Sequence, residues 1–260
     1  DIPVTLSSSS VFPLGTQDVF ATAEDLGYDV VHVPDHLGGP APFPVMTTLA
    51  MATSTLRVGT FVLNAAFYRP ALLARDVAAL RDVSEGRLDL GLGTGYVKEE
   101  FEAAGIPFPS AGARVEHLRE TCSYLAEHVP DVPIMIAGNG DRVLRLAAQK
   151  ADIIGLTGGD RATSAGEDPL ADRISFVRDA AGGRFGELEL NVAITAMPVD
   201  DSGQPDLTIP RISLPGLSDE ELLRHPGVLS GSTEEIADRI RATARHPARG
   251  RDDRVGFGVV

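Results

Sequence analysis

Short runs rich in β-branched and aliphatic residues alternate along this chain with segments whose apolar residues recur at helical spacing, about thirty residues to each unit. The strand-like runs fall at 4–8, 29–33, 56–63, 87–92, 133–137, 152–156, 188–196 and 255–260. Helical periodicity covers 17–26, 44–52, 71–83, 113–127, 142–149, 170–180 and 233–244. Alternating β and α elements predict a parallel sheet with helices outside it. Eight strands favour closure over an open, doubly wound sheet. The expected fold is therefore α/β, a single-domain (β/α)8 TIM barrel over residues 1–260.

One unit shows why. Pro70 stands at a helix start, where its missing N–H costs nothing. Leu73, Val77, Leu80 and Val83 then repeat at helical spacing and define a face to bury. Gly86 suits the left-handed cap that ends the helix. In the next strand Leu88, Leu90 and Leu92 alternate with Asp89, Gly91 and Gly93. The leucines are expected under the helices, and the small and polar side toward the barrel interior. Two polar stretches, 157–169 and 197–226, read as long loops leaving strand ends on the face where barrels place their sites.

Composition narrows the classes. The chain has 260 residues, 43% of them hydrophobic, with no apolar run long enough for a membrane span. Its single cysteine, Cys122, excludes an internal disulfide and any CxxC site, and fits a reducing cytoplasm. A net charge of −14 argues against nucleic acid as a partner and leaves local donors to bind any anionic ligand. No HExxH motif or Cys/His cluster supports a metal. The expected partner is a small-molecule substrate, with no membrane; a homodimer is left open.

Chemistry concentrates at the strand ends. Val33-Pro34-Asp35-His36 closes the second strand, and an imidazole there can give or take a proton near neutral pH. The alternative for His36 is a cap that bonds backbone. His32 shares a face with it only if the chain stays extended through Pro34, and otherwise belongs to the core. His117, His128, His225 and His246 fall on helices or loops and are expected to be solvated. Gly138-Asn139-Gly140 opens directly into a helix, whose free N–H groups suit a phosphate, with Arg142 or Arg145 adding charge; the alternative is a plain tight turn. Gly91, Gly93 and Gly95 do not make a dinucleotide fingerprint, because Tyr96 stands where its third glycine would fall.

Several blocks carry a resemblance. Asp35-His36, Leu56-Arg57-Val58-Gly59-Thr60, Arg69-Pro70, Ser84-Glu85-Gly86-Arg87, Gly91-x-Gly93-x-Gly95 with Glu100-Phe101, Gly105-Ile106-Pro107-Phe108 and the 147–153 stretch run in the order of the luciferase-like monooxygenase superfamily. The chain resembles that superfamily, and within it the oxidoreductases that use the deazaflavin coenzyme F-420. Gly91, Gly93 and Gly95 would let a flat cofactor ring approach the strand backbone, with Asn64 and Thr94 beside it, and the resemblance sets a non-prolyl cis peptide at Phe61-Val62 against that ring. The cofactor's phosphate is expected at the helix start already described, on Gly138, Asn139, Gly140 and Arg142. Glu100 lies near the acid/base carboxylate of the enzymes it resembles; the alternative is a first-turn acid favoured by the helix dipole, which Glu99 fits better. The implied activity is hydride transfer between F-420 and an organic substrate, with His36 and Glu100 handling protons. An FMN-dependent monooxygenase and a non-catalytic flavin-binding barrel are the alternatives. The link between the 113–127 helix and the next strand is shorter than such proteins often carry, so either the connection is trimmed or the sequence lacks a loop near 126–132.

Overall fold

A computed structural model describes residues 4–7, 17–157, 169–244 and 255–259. The elements run β1 (Val4–Ser7), α1 (Gln17–Asp25), β2 (Val30–Val33), α2 (Pro42–Ala52), β3 (Arg57–Thr60), β4 (Leu63–Asn64), α3 (Pro70–Val83) and β5 (Leu88–Gly93). They continue with α4 (Lys98–Ala103), α5 (Ala111–His128), β6 (Ile134–Ala137), α6 (Asp141–Lys150), β7 (Ile153–Leu156), α7 (Pro169–Ala181) and β8 (Glu189–Ile194). Last come α8 (Thr208–Ser213), α9 (Asp219–Arg224), α10 (Thr233–Ala244) and β9 (Val255–Val259). Every paired strand is parallel, in the order β3-β2-β1-β9-β8-β7-β6-β5-β4, and β3 also pairs with β5. The result is a curled parallel sheet of TIM-barrel type, as the alternation of elements predicts. No helix among the described residues is long and apolar enough to cross a membrane.

The helix-side core forms where expected. Leu88, Leu90 and Leu92 are fully buried in one cluster with Leu73, Val77 and Leu80 of α3. Val83 departs from the predicted face and is exposed, because the helix ends there and the chain turns through Glu85 and Gly86, both at positive φ. On the other face of β5, Asp89 takes a bidentate ion pair from Arg57, with Nε donating to Oδ2 at 2.8 Å. The connection from α5 to β6 buries Val129 and Val132, so the short link is a packed turn.

The predicted strand 56–63 is two strands. After Thr60 the chain passes through a cis Phe61–Val62 peptide and resumes as β4. Thr60 bridges the break: its hydroxyl donates to the Gly91 carbonyl at 2.7 Å and accepts from the Gly91 N–H at 2.9 Å. The apolar run Phe61-Val62-Leu63 hides this departure from a periodicity argument. Gly91 and Gly93 make it sterically possible. A Cβ on Gly91 would stand 1.9 Å from the Thr60 carbonyl oxygen, and one on Gly93 2.7 Å from Val62 Cγ2.

Three short helices, α4, α8 and α9, went unpredicted. The 197–226 stretch is not a featureless loop: α8 and α9 surround a small apolar cluster of Ala196, Leu207, Leu222 and Val228. A capping box of Ser218 and Glu221 starts α9, a signal legible in the sequence. Of the 157–169 loop only its two ends are among the described residues.

At the base of the sheet, residues 53–56 are bracketed by charge. Glu24 accepts backbone N–H bonds from Ser54, Thr55 and Leu56, while Arg87 donates to the carbonyls of Ala50, Thr53 and Leu56. These N–H donors, Thr55 first, pull the Glu24 carboxyl from an ordinary 4.5 down to about 2. A depressed carboxyl stabilises the fold above its unfolded value, and that contribution fades as pH falls from 4.5 toward 2.

Two outcomes are expected. Gly91→Ala should destabilise the protein by about 3 kcal/mol, because the new methyl meets backbone and not a flexible side chain; urea unfolding checks this, and a loss within error would mean the crossing can shift. Glu24→Gln should cost about 1 kcal/mol at pH 7 after solvent screening, or some 2–4 °C of melting temperature. The gap from wild type should then close as the melts are repeated toward pH 3.

Candidate active site

Two of the predicted residues meet. His36, just beyond β2, and Glu100, in the first turn of α4, form a direct hydrogen bond of 2.8 Å between Nδ1 and Oε1. The imidazole is half exposed at 51%, whereas the Glu100 side chain is 14% exposed. An ionised carboxylate can only accept, so a neutral imidazole bonded to it donates through Nδ1–H and keeps Nε2 as its basic nitrogen. Tyr96 stands edge-on to this ring, 6.5 Å between centroids, and is itself largely exposed. Glu99 fits the alternative of a solvated first-turn acid.

Asp35, one residue before the histidine, is braced from below. Its Oδ2 accepts the Asn64 N–H at 3.1 Å, and the Tyr68 hydroxyl bonds its carboxylate. Burial pushes the Asp35 carboxyl above its usual range, although both donors pull it back. Burial and the neighbouring Asp35 charge push the Tyr68 phenol up in turn. Tyr68 was not among the sequence candidates, and nothing but its place before Arg69-Pro70 could have drawn attention to it.

The residues expected around a cofactor ring divide by what the glycines do. Phe61 and Val62 are half buried, and their peptide is cis as the resemblance implied. Asn64 is buried; its side chain accepts from the Ala66 N–H at 3.2 Å, and a Cβ on Gly95 would stand 2.3 Å from its Oδ1. Gly91, Gly93 and Gly95 thus make room for the chain's own Thr60, Val62 and Asn64, while Val62 and Thr94 are half buried. These contacts within the chain account for the absence of side chains at all three positions.

The second group lies beside the first, since the Ala137 carbonyl before Gly138 is 3.8 Å from the position of a Gly93 Cβ. Gly140 is the N-cap of α6 and has open space where a side chain would stand. At Gly138 that space is filled by Val143, whose Cγ1 would lie 3.0 Å from a Cβ. Asn139 is half buried and Arg142 is exposed. Arg145 lies over the Phe176 ring at 5.3 Å, and Asp141 is paired with Arg173 at 2.6 Å.

The other histidines separate clearly. His32 is buried with its ring 5.9 Å from that of Phe61, so the core assignment holds. Burial brings its pKa down to about 4, with Arg57 adding to the effect and Asp89 opposing it, and the ring is neutral at ordinary pH. Two corrections follow among those expected in solvent. His225 is buried, its Nδ1 accepting the Gly227 N–H at 3.0 Å where the 197–228 segment folds back. His117 is half buried and its Nε2 donates to the carbonyls of Ala65 and Tyr68 at 3.0 and 3.3 Å, pinning the turn below Asp35. His128 is exposed, and His246 lies outside the described residues. No three His, Cys, Asp or Glu side chains form a metal-binding group among the described residues.

Known proteins resemble this chain in sequence and in fold. The chain is 29% identical over 150 residues to a 5,10-methylenetetrahydromethanopterin reductase of Archaeoglobus fulgidus, a match covering 50% of this chain and 45% of that one. The chain spans about half the length of the curated relatives it matches. Among solved structures, the coenzyme F420 dependent tetrahydromethanopterin reductase of Methanopyrus kandleri superposes with a TM-score of 0.74 at 18% identity, covering 99% of this chain and 93% of that one. An EDTA monooxygenase of Chelativorans sp. BNC1 superposes with a TM-score of 0.73 at 16% identity, covering 99% and 88%. These two likenesses are of fold. The family model for luciferase-like monooxygenases matches residues 13–202, and the chain belongs to that family.

Proposed function

We propose that this chain is a deazaflavin-dependent oxidoreductase that passes a hydride between coenzyme F-420 and a small organic substrate. The 2.8 Å contact between His36 and Glu100 carries the reading, because it sets a proton-handling pair at the C-terminal ends of the strands. The reading takes the curled sheet as a closed eightfold barrel, supported by the β1–β9 and β3–β5 pairings. When bound, the coenzyme supplies a carbon centre that accepts or gives hydride.

The chain's own residues would do the rest. Phe61, Val62 and Thr94 would back the ring, while the buried Asn64, packed against Gly95, would shape the strand end beneath it. Gly140, with Gly138 and Asn139 before it, would offer the α6 N-terminus to a phosphate, and Arg142 would add charge. The open space at Gly140 is the observation that fits such a group. Lys98 is exposed and shared with Glu102 at 3.0 Å, an ion pair weak enough to yield to an acidic tail. At the substrate, His36 Nε2 would take the proton of a hydroxyl being oxidised, and Glu100 would stabilise the imidazolium through Nδ1. The return direction would run the same proton back.

A second reading, an FMN-dependent monooxygenase, is favoured by the likeness in fold to the EDTA monooxygenase. Side-by-side fluorescence titrations separate the two. F-420 should bind more tightly than FMN and lose affinity with added salt, since local cations must meet its tail in a chain of charge −14. Gly140→Asp should keep the helix cap and the melting temperature yet weaken binding by about tenfold or more. Tighter FMN binding with oxygen consumption would favour the monooxygenase, and unchanged affinity in the variant would place the phosphate elsewhere.

His36→Ala should leave the melt and coenzyme affinity near wild type while lowering turnover by about 10²-fold or more. Undiminished turnover would refute the proton role, and a collapsed melt would make His36 a structural cap.

A further inference from the structure

Glu100 sits on a helix with little of its own to hold it. The α4 helix has six residues, no side-chain bond at its N-cap Val97, and one buried residue, Phe101. A helix that short does not persist on its own hydrogen bonds. Its C-terminus is closed by a Schellman motif: Ile106 N–H donates to the Phe101 carbonyl at 2.9 Å, and Gly105 N–H, at positive φ, to that of Glu102 at 3.1 Å. That motif fixes where the helix stops, not how it is rotated.

Rotation is fixed by an aromatic column. The Phe101 ring lies 5.4 Å from Phe67, in the turn that follows Asn64, and 4.9 Å edge-on from Phe108. Arg114 of α5 caps the column, its guanidinium 4.3 Å over Phe108 while Nη1 donates to the Pro109 carbonyl at 2.6 Å. Successive helical residues emerge about 100° apart. Burying Phe101 therefore sets the direction in which Glu100 leaves the helix.

We propose that Phe101, gripped between Phe67 and Phe108, is a positioning residue that holds Glu100 against Nδ1 of His36 and so fixes the imidazole in its Nδ1–H tautomer. The proposal rests on the reading of His36 and Glu100 as a working pair. Free histidine favours a proton on Nε2. A carboxylate kept within bonding reach of Nδ1, as Glu100 is, reverses this and leaves Nε2 ready to accept. Loosening the column lets α4 turn, and the tautomer relaxes although neither His36 nor Glu100 has changed.

Long-range ¹H–¹⁵N correlation spectra of the ¹⁵N-histidine-labelled chain read the tautomer directly, without cofactor, at about pH 9 where imidazoles are neutral. The His36 signals, identified by their loss in His36→Gln, should report the Nδ1–H form in wild type and lose it in Glu100→Ala. Phe108→Ala and Phe101→Leu should reduce the Nδ1–H share by at least half, and Phe108→Tyr should retain it. Melts run in parallel verify folding, and Phe108→Ala carries the test if Phe101→Leu does not fold. An undiminished Nδ1–H share in folded column variants would overturn the positioning role alone. A wild-type His36 protonated on Nε2 would overturn the pair, and the proposal with it.

Discussion

The close crossing of the Phe61–Val62 segment over a strand face without side chains is the constraint on which the site depends. Gly91 and Gly93 leave β5 bare where Thr60 and Val62 lie against it, and the Thr60 hydroxyl replaces the ladder bonds that the departing strand cannot make. The chain returns to β5 one step later as β4, where Asn64 pairs in register with Gly93. Its N–H then meets Asp35 and its side chain fills the space under Gly95. One local departure thus ties the ends of β2, β3 and β5 together. His36 follows directly from the residue so braced, and the turn carrying Phe67 and Tyr68 follows from the same segment.

Polarity is arranged by depth. Deeper in the sheet, the buried Asp89 is neutralised by the partly exposed Arg57, and His32 gives up its charge by burial. Neither adds net charge beneath the mouth. Nearer the surface Asp35 lies between burial, which favours its proton, and the donors of Asn64 and Tyr68, which favour its charge. Acids dominate this rim: Asp35, Glu99, Glu100 and Glu102, with Lys98 shared to Glu102. The general field of the chain has the same sign. Any anionic group bound here must therefore be met by directed N–H donors, such as those at a helix start, and not by a diffuse positive surface.

What could be read from the sequence follows from what periodicity encodes. Leu88, Leu90 and Leu92 gave one buried face, and Leu73, Val77 and Leu80 the other, because burial on one side is a linear pattern. His36 and Glu100 were legible as separate candidates, each from its place at a strand end or helix start and from the resemblance. Their contact was not, since 64 residues separate them and no local signal encodes a distance. The glycines were visible, but the sequence does not say whether missing side chains admit a ligand or the chain's own neighbour. His117 and His225 show the same limit, since an imidazole amid polar residues reads as solvated until its backbone partners are in place.

The long segment after β8 completes the division between scaffold and site. Its apolar residues Leu207, Leu222 and Val228 pack on one another and on Ala196, apart from the main core. It is tied to the strand end by the Thr195 N–H to Gly227 carbonyl bond at 2.7 Å and by the Ala196–Val228 bridge. The ordering cost of these residues is thus met largely within the segment. Changes in its length or side chains need not disturb Asp35, His36 or Glu100, which are held from β4, the 65–67 turn and α4. A fold built this way can keep one arrangement of Asp35, His36 and Glu100 while the segment after β8 varies.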